Sequence, residues 1–552
     1  MTLMTRTGLA APARAKRRLR AATIVLAAVS TLALMPMMSR PAEAQVTAFK
    51  QGVAESAYGQ DGVATFYRER NYEPLWTADT QAGQARRAAL IQALRTADRH
   101  GLPLSRYNPD GLIAQMQQAQ TARQMGALEI ALSDAYLGYA RDVQSGILVP
   151  RKIDSQIVRE VNYRNPDELL EMLAADDPDR IRSAVAALPP QTTEYRNLMK
   201  ARLVLADAAR DGLWGPTVPE RKMERGDQGP DVLKLRDRLV RMGYLSPSPA
   251  GIYTQEVESA VRQVQMDNGL EADGVAGPET IRQLNVSAQD RLQSVLVAME
   301  RERWLNQDLG ARHIWVNLTD FTARIMQDGD IAFETRSVVG ANRDGRRTPE
   351  FSDAMEYMMI NPSWYVPRSI VTKEYLPKLR ANPNAVSHIE ITDSRGRVVN
   401  RSAANFAQYS AASFPYAMRQ PPSPRNALGL VKFMFPNPYN IYLHDTPQKN
   451  LFDRNVRAYS HGCIRLADPF DFAYALLSAQ TDTPEEDFQR ILKTGRETRV
   501  NLEQPVPVHL DYRTAFTDQR GHLQFRRDIY GRDARIWQAL SNAGVALDTV
   551  RS

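Results

Sequence analysis

The chain has 552 residues, one cysteine and seven histidines. The cysteine lies in Ser460-His461-Gly462-Cys463-Ile464-Arg465. A single thiol has no intramolecular disulfide partner, so it is an inert buried group, an intermolecular link or a nucleophile. Its neighbours favour the nucleophile. A free thiol ionises near ~8.5, and cationic neighbours lower that value, so Arg465 and nearby imidazoles are expected to enrich the thiolate. Gly462 allows the backbone to approach a substrate closely, which makes the N–H groups of Gly462 and Cys463 candidate oxyanion donors.

A thiolate that leaves and re-forms needs a proton partner. His444 follows the apolar run Ile441-Tyr442-Leu443 and precedes Asp445-Thr446-Pro447, a strand-to-loop transition of the kind that presents catalytic groups. It is the expected base, with Ser460 as the third member that orients its imidazole. Trp364 and Tyr442 are candidate groove residues, with core packing as the competing reading. His461 and Arg465 are candidate substrate contacts, while His388, His509 and His522 read as solvated. His444, Asp445, His461 and Cys463 could instead hold zinc; the lack of a second cysteine or of two histidines at close helical spacing speaks against this. No metal and no cofactor are expected.

The elements around these residues change period along the chain. Up to about residue 220 apolar residues recur at three and four spacing, as in Leu90, Leu94 and Ala97, which predicts a helical scaffold over 45–220. Phe66 to Trp76 reads there as packing rather than as a binding face. Residues 221–290 predict a small three-helix unit, with Val232, Leu235 and Leu239 on one inward face and Val257, Ala260, Val261 and Val264 on another, the second helix capped by Thr254. After Arg301 apolar and polar residues alternate, and Asp328-Gly329 is a two-residue hairpin signal. The fold class is therefore α+β multidomain, ending in a mainly β, sandwich-like or barrel-like domain over 300–545. A stretch of about 368–424, rich in Pro, Ser, Asn and Ala, interrupts that domain and is expected to form a cap over the site.

Two family resemblances rest on these residues. His444 with the Ser460 to Arg465 segment, Asn361 to Pro367, Pro421 to Gly429 and Tyr442 to Pro447 resemble the L,D-transpeptidase (YkuD) catalytic domain. Gly251-Ile252-Tyr253-Thr254, Ala260-Val261-Arg262 and Asn268 to Asn285 resemble the peptidoglycan-binding domain 1 family, with Val264 where Phe is usual. The resemblance implies that Cys463 attacks the carbonyl of the L-centre diamino acid of a tetrapeptide stem. The terminal D-Ala leaves, and a thioester forms that a second stem's amine resolves as a 3-3 cross-link. Water as acceptor would make the enzyme an L,D-carboxypeptidase, and a protein lysine would make it an anchor for lipoprotein. Carbapenem acylation is also implied. A wall-binding protein with an inactive catalytic domain is the rival reading.

The first 44 residues read as an export signal, with a basic segment from Arg14 to Arg20, an apolar run to Met38, and Ala42-Glu43-Ala44 before cleavage at Gln45. An uncleaved anchor is the alternative. A periplasmic location follows from this reading, with peptidoglycan stems and glycan as partners and cell-envelope proteins as further possible ones. The formal charge is +7, but seven basic residues and one acid fall in residues 1–44, leaving the rest nearly neutral. Nucleic acid is accordingly not an expected partner.

Overall fold

A computed structural model describes residues 41–547. The basic and apolar parts of the expected export signal lie outside the described residues, and the helix Pro41–Ser56 runs through the expected cleavage point.

Alternating sequence after Arg301 forms strands β1 (Arg312–Asn317), β2 (Thr322–Gln327), β3 (Asp330–Gly340) and β4 (Phe351–Ile360). Next come β5 (Trp364–Tyr365), β6 (Glu390–Thr392), β7 (Ala417–Gln420), β8 (Val431–Met434) and β9 (Leu443–His444). The series ends with β10 (Ala458–Ser460), β11 (Ile464–Leu466), β12 (Thr498–Asp511), β13 (Ala515–Thr517) and β14 (Leu523–Phe525). Asp328 and Gly329 both take positive φ, 53° and 92°, which matches the twist a two-residue hairpin requires.

Among the described residues nine strands form one sheet in the order β10-β3-β11-β9-β8-β4-β12-β1-β2. Strand β2 also pairs with β3, so the sheet closes on itself and is barrel-like rather than two separate layers. Closure leaves few free strand edges. Its interior is a continuous apolar core of Ile314, Val316, Met355, Met358, Phe433, Leu443, Ile464 and Leu466, joined by Phe472 and Phe488 from two flanking helices. The interruption at 368–424 has a separate core of Ile370, Leu376, Leu379, Ile391, Phe406 and Met418, with the small sheet β5-β7-β6. It is an attached subdomain.

The three-helix unit has the expected inward set: Val232, Leu235, Leu239, Val257, Val261 and Val264 are all buried. Thr254 precedes the second helix without a side-chain capping bond, contrary to expectation. In the helical region Phe66, Tyr67 and Trp76 are buried. The buried carboxylate of Glu129 accepts from Tyr67 Oη at 2.9 Å and Trp76 N at 2.8 Å, so this segment is packing.

Helix Ala288–Trp304 joins these parts. It shares a core with Tyr195, Leu198 and Leu205 of helix Thr193–Arg210 and with Ile536 and Leu540 near the C-terminus. Its Arg301 binds the fully buried Glu350 of the barrel at 2.8 Å, and Arg532 reaches the same carboxylate at 3.1 Å. Charge removed from water this completely persists only when paired, as it is here.

Candidate active site

The face that carries the chemistry is set by register. Parallel pairing places Ile464 beside Leu443 and Arg465 beside His444, while antiparallel pairing places Lys432 beside His444. Leu443 and Ile464 point into the barrel core. Side chains alternate along strands, so Tyr442 and His444 share the opposite face with Cys463, Arg465 and Lys432. The sheet thus brings the expected nucleophile and the expected base onto neighbouring strands, with a cation on each side of the imidazole.

The site differs from expectation in three places. Ser460 does not touch His444: its Oγ donates to Cys463 O at 2.5 Å and accepts from Gly462 N at 3.0 Å, so it ties the nucleophile loop to itself. The imidazole is oriented instead by carbonyls, its Nδ1 donating to Asp445 O, with Leu428 O also beside the ring. Because Gly462 N–H is spent on Ser460, Cys463 N–H is the remaining loop donor for an oxyanion. Gly462 has φ of 121°, and an added Cβ would lie 3.0 Å from Ile441 Cδ1. Glycine is therefore needed for the turn itself. Thr348 Oγ1 supports the turn from below by donating to Gly462 O at 2.7 Å.

The third difference is electrostatic. Cys463 is half-buried, with part of the residue at the surface and protein packed around the sulfur, and burial pushes its thiol up to about 11. Backbone and phenol of Tyr442 act in the opposite direction, as do Arg465 and Lys432, without overcoming burial. Burial first, then Arg465 and Lys432, lower His444 to about 3. Thiol and imidazole are both neutral here. Sγ lies 3.5 Å from Asn440 O and hydrogen-bonds Tyr442, whose phenol is in turn bonded by Trp364. The imidazole is not among the partners of Sγ. Moving the thiol proton onto it in this arrangement runs strongly uphill.

The remaining candidates divide between site and cap. Arg465 donates to Gln448 Oε1 at 2.6 Å, while its Nε is buried without a partner. His461 Nε2 meets Glu374 Oε1 at 2.6 Å, and Arg346 Nη2 reaches the same oxygen at 2.6 Å. Glu374 belongs to the cap, in a π-helical turn at Val371–Tyr375. One carboxylate therefore docks the cap onto the nucleophile loop. Of the histidines read as solvated, His388 and His522 are exposed, whereas His509 is buried in β12 between Ser352 Oγ at 2.8 Å and Leu309 O at 2.9 Å. Alternation places His509 on the face opposite Val508 and Leu510, so its burial comes from residues packed over that face, His313 and Trp315 among them, and left no local signal. Lys432 and Glu374, which the sequence reading missed, left no local signal, because each acts through a pairing distant in the chain.

Comparison with known proteins matches three segments of the chain. Residues 311–494 match the "L,D-transpeptidase catalytic domain", residues 228–284 the "Putative peptidoglycan binding domain" and residues 61–201 a "Scaffold domain". A "Putative L,D-transpeptidase" of Haemophilus influenzae is 34% identical over 225 residues, which is 40% of this chain and 45% of that protein. The match thus spans less than half of the relative's length. The crystal structure of an L,D-transpeptidase (residues 123–326) from Xylanimonas cellulosilytica is 15% identical with a TM-score of 0.17, covering 54% of this chain and all of that one. Residues 311–494, the segment that contains Cys463 and His444, match the L,D-transpeptidase catalytic domain family, and residues 228–284 match the peptidoglycan-binding domain family.

Proposed function

We propose that the protein is a peptidoglycan L,D-transpeptidase that forms 3-3 cross-links through a thioester on Cys463. The observation that carries this reading is the register of β9 against β11, which puts the only thiol and a strand-end imidazole on one face of a catalytic-domain sheet. Sγ attacks the carbonyl of the L-centre of the donor's third residue, and its proton passes to His444. The tetrahedral oxyanion sits at Cys463 N–H, with Tyr442 beside it. The carbon–nitrogen bond to D-Ala then breaks, and the leaving amine takes the proton from His444. A side-chain amine of a second stem attacks the thioester, the carbon–sulfur bond breaks, and the thiol is restored.

A neutral thiol beside a weakly basic imidazole describes a resting state. Donor entry beneath the cap displaces Glu374 from His461 and brings the donor's carboxylates toward Arg465 and Lys432. The donor's carboxylates relieve the positive field of Arg465 and Lys432 on His444 and make it a better base. Export to the periplasm by a cleaved signal, L,D-carboxypeptidase activity with water as acceptor, and acylation by carbapenems belong to the same reading.

The test is mass spectrometry of disaccharide-tetrapeptide incubated with residues 45–552. Expected are a dimer that has lost D-Ala and an acyl adduct on Cys463, both absent from Cys463→Ala. Equal dimer formation by Cys463→Ala overturns the mechanism.

A further inference from the structure

A second feature lies between the peptidoglycan-binding-like unit and the catalytic domain. A cavity of about 500 Å³ is walled on one side by the turn Asn268-Gly269-Leu270-Glu271 and on the other by residues 319–322 and 452–457. Five guanidiniums face it, from Arg336, Arg454, Arg457, Arg526 and Arg527, against the carboxylates of Glu271, Asp320 and Asp453. The carboxylates do not neutralise them evenly. Asp320 is engaged by Arg526 and Arg324, Arg527 pairs with Glu279 outside the cleft lining, and Asp453 stands 3.8 Å from Arg336 with both side chains largely exposed. Among the described residues neither Arg454 nor Arg457 makes an ion pair.

Arg457 donates only to carbonyls, those of Ser337 at 3.2 Å, Arg454 at 3.0 Å, Phe321 at 3.2 Å and Asp320 at 3.4 Å, and it lies over the Phe321 ring. Burial is the main influence on it and lowers its affinity for its proton. A cation desolvated in this way, whose neighbouring carboxylate Asp320 is already engaged by Arg526 and Arg324, favours the arrival of an anion. Arg454, Arg336 and Arg527 form an exposed rim around it.

We propose that this inter-domain cleft binds the free carboxylates of stem peptides on a glycan strand, so that a strand held by the peptidoglycan-binding-like unit continues toward the active site. The proposal rests on the function proposed above. Its location supports a polymer rather than a small anion. One wall is the loop of the unit that resembles a glycan binder, and the other wall, residues 452–457, runs directly into β10 and the Ser460 to Cys463 loop. A carboxylate in the cleft bridges Arg454 and Arg457.

Titration calorimetry on residues 45–552 carrying Cys463→Ala tests this, with uncross-linked glycan strands of several repeats as probe. The combined Arg336→Glu and Arg454→Glu variant is expected to bind strands at least roughly tenfold more weakly, the scale of one or two lost charge-assisted hydrogen bonds. Its affinity for a single disaccharide-tetrapeptide stays as it was, and amidated strands bind parent and variant alike. Arg454→Ala, with its thermal midpoint measured, serves as the milder variant if charge reversal perturbs folding. Equal strand affinity in parent and variants, or a difference that persists with amidated strands, overturns the cleft. Failure of the protein with intact Cys463 to form an acyl adduct with tetrapeptide would overturn the enzymatic reading instead, and is read separately from strand affinity.

Discussion

The barrel and the cap hold their active-site residues by different means. His444, Arg465 and Lys432 are carried by three neighbouring strands bonded in register over a common apolar core, and Cys463 lies in the loop just before one of them. Glu374 comes from a subdomain with its own core, and it reaches the nucleophile loop through His461 and Arg346. A sheet of this kind moves only if its ladder breaks, whereas partly exposed ion pairs cost little to open. Position is thus set by the barrel, while the cap's hold on the loop through Glu374 is the weaker contact.

Substitutions in the frame should cost most. His444→Ala is expected to lower the rate of muropeptide turnover by about 10²–10⁴, the usual contribution of a positioned acid–base. A drop of less than tenfold would move the base elsewhere. Ser460→Ala removes the bond that ties Gly462 N to Cys463 O and should destabilise the loop by roughly 1–3 kcal/mol, since a buried group loses its partner. Turnover should fall with it, and an unchanged rate and thermal midpoint would mean that the turn is held by Thr348 alone. Glu374→Gln keeps the shape and removes the charge. It should speed iodoacetamide labelling of Cys463 severalfold while leaving the melting temperature nearly unchanged, because the pair it weakens contributes about 1 kcal/mol or less. Slower labelling would place Glu374 in the frame rather than in the gate.

The smallest effect is a pH dependence of the frame itself. Burial holds His444 and His100 near 3 and His509 near 4 in the folded protein, against about 6.5 when unfolded. Between those values the unfolded chain holds more protons, so stability is full above about 6.5 and is lost as pH falls toward 4. Thermal midpoints from pH 7 to 4 should decline accordingly, and less steeply in His509→Asn. A flat profile would show that these rings are not kept neutral by the fold.

Much of the frame was readable from local pattern. Alternation marked β1, β2 and β4, Asp328-Gly329 marked the hairpin, and the lone Cys463 beside Gly462 marked the candidate site. What could not be read was who stands beside whom. The parallel pairing of β9 with β11 is a non-local contact, so nothing near Arg465 shows that it neighbours His444. Ser460 was assigned to the imidazole because hydroxyls commonly orient one, yet its own loop lies closer. The thiol was expected to be acidic from its cationic neighbours. Burial, which sequence does not display, outweighs them.

The carboxylate of Glu350 gives the barrel a dependence on distant parts of the chain. It sits inside the segment 311–494 that matches the catalytic domain, yet both of its cationic partners, Arg301 and Arg532, lie outside that segment. A fragment cut to those limits would carry a naked anion in its interior and would be expected to aggregate or stay unfolded. Expression work on the isolated catalytic unit should therefore begin before residue 288 and extend past residue 542, or replace Glu350 with a neutral residue of similar size.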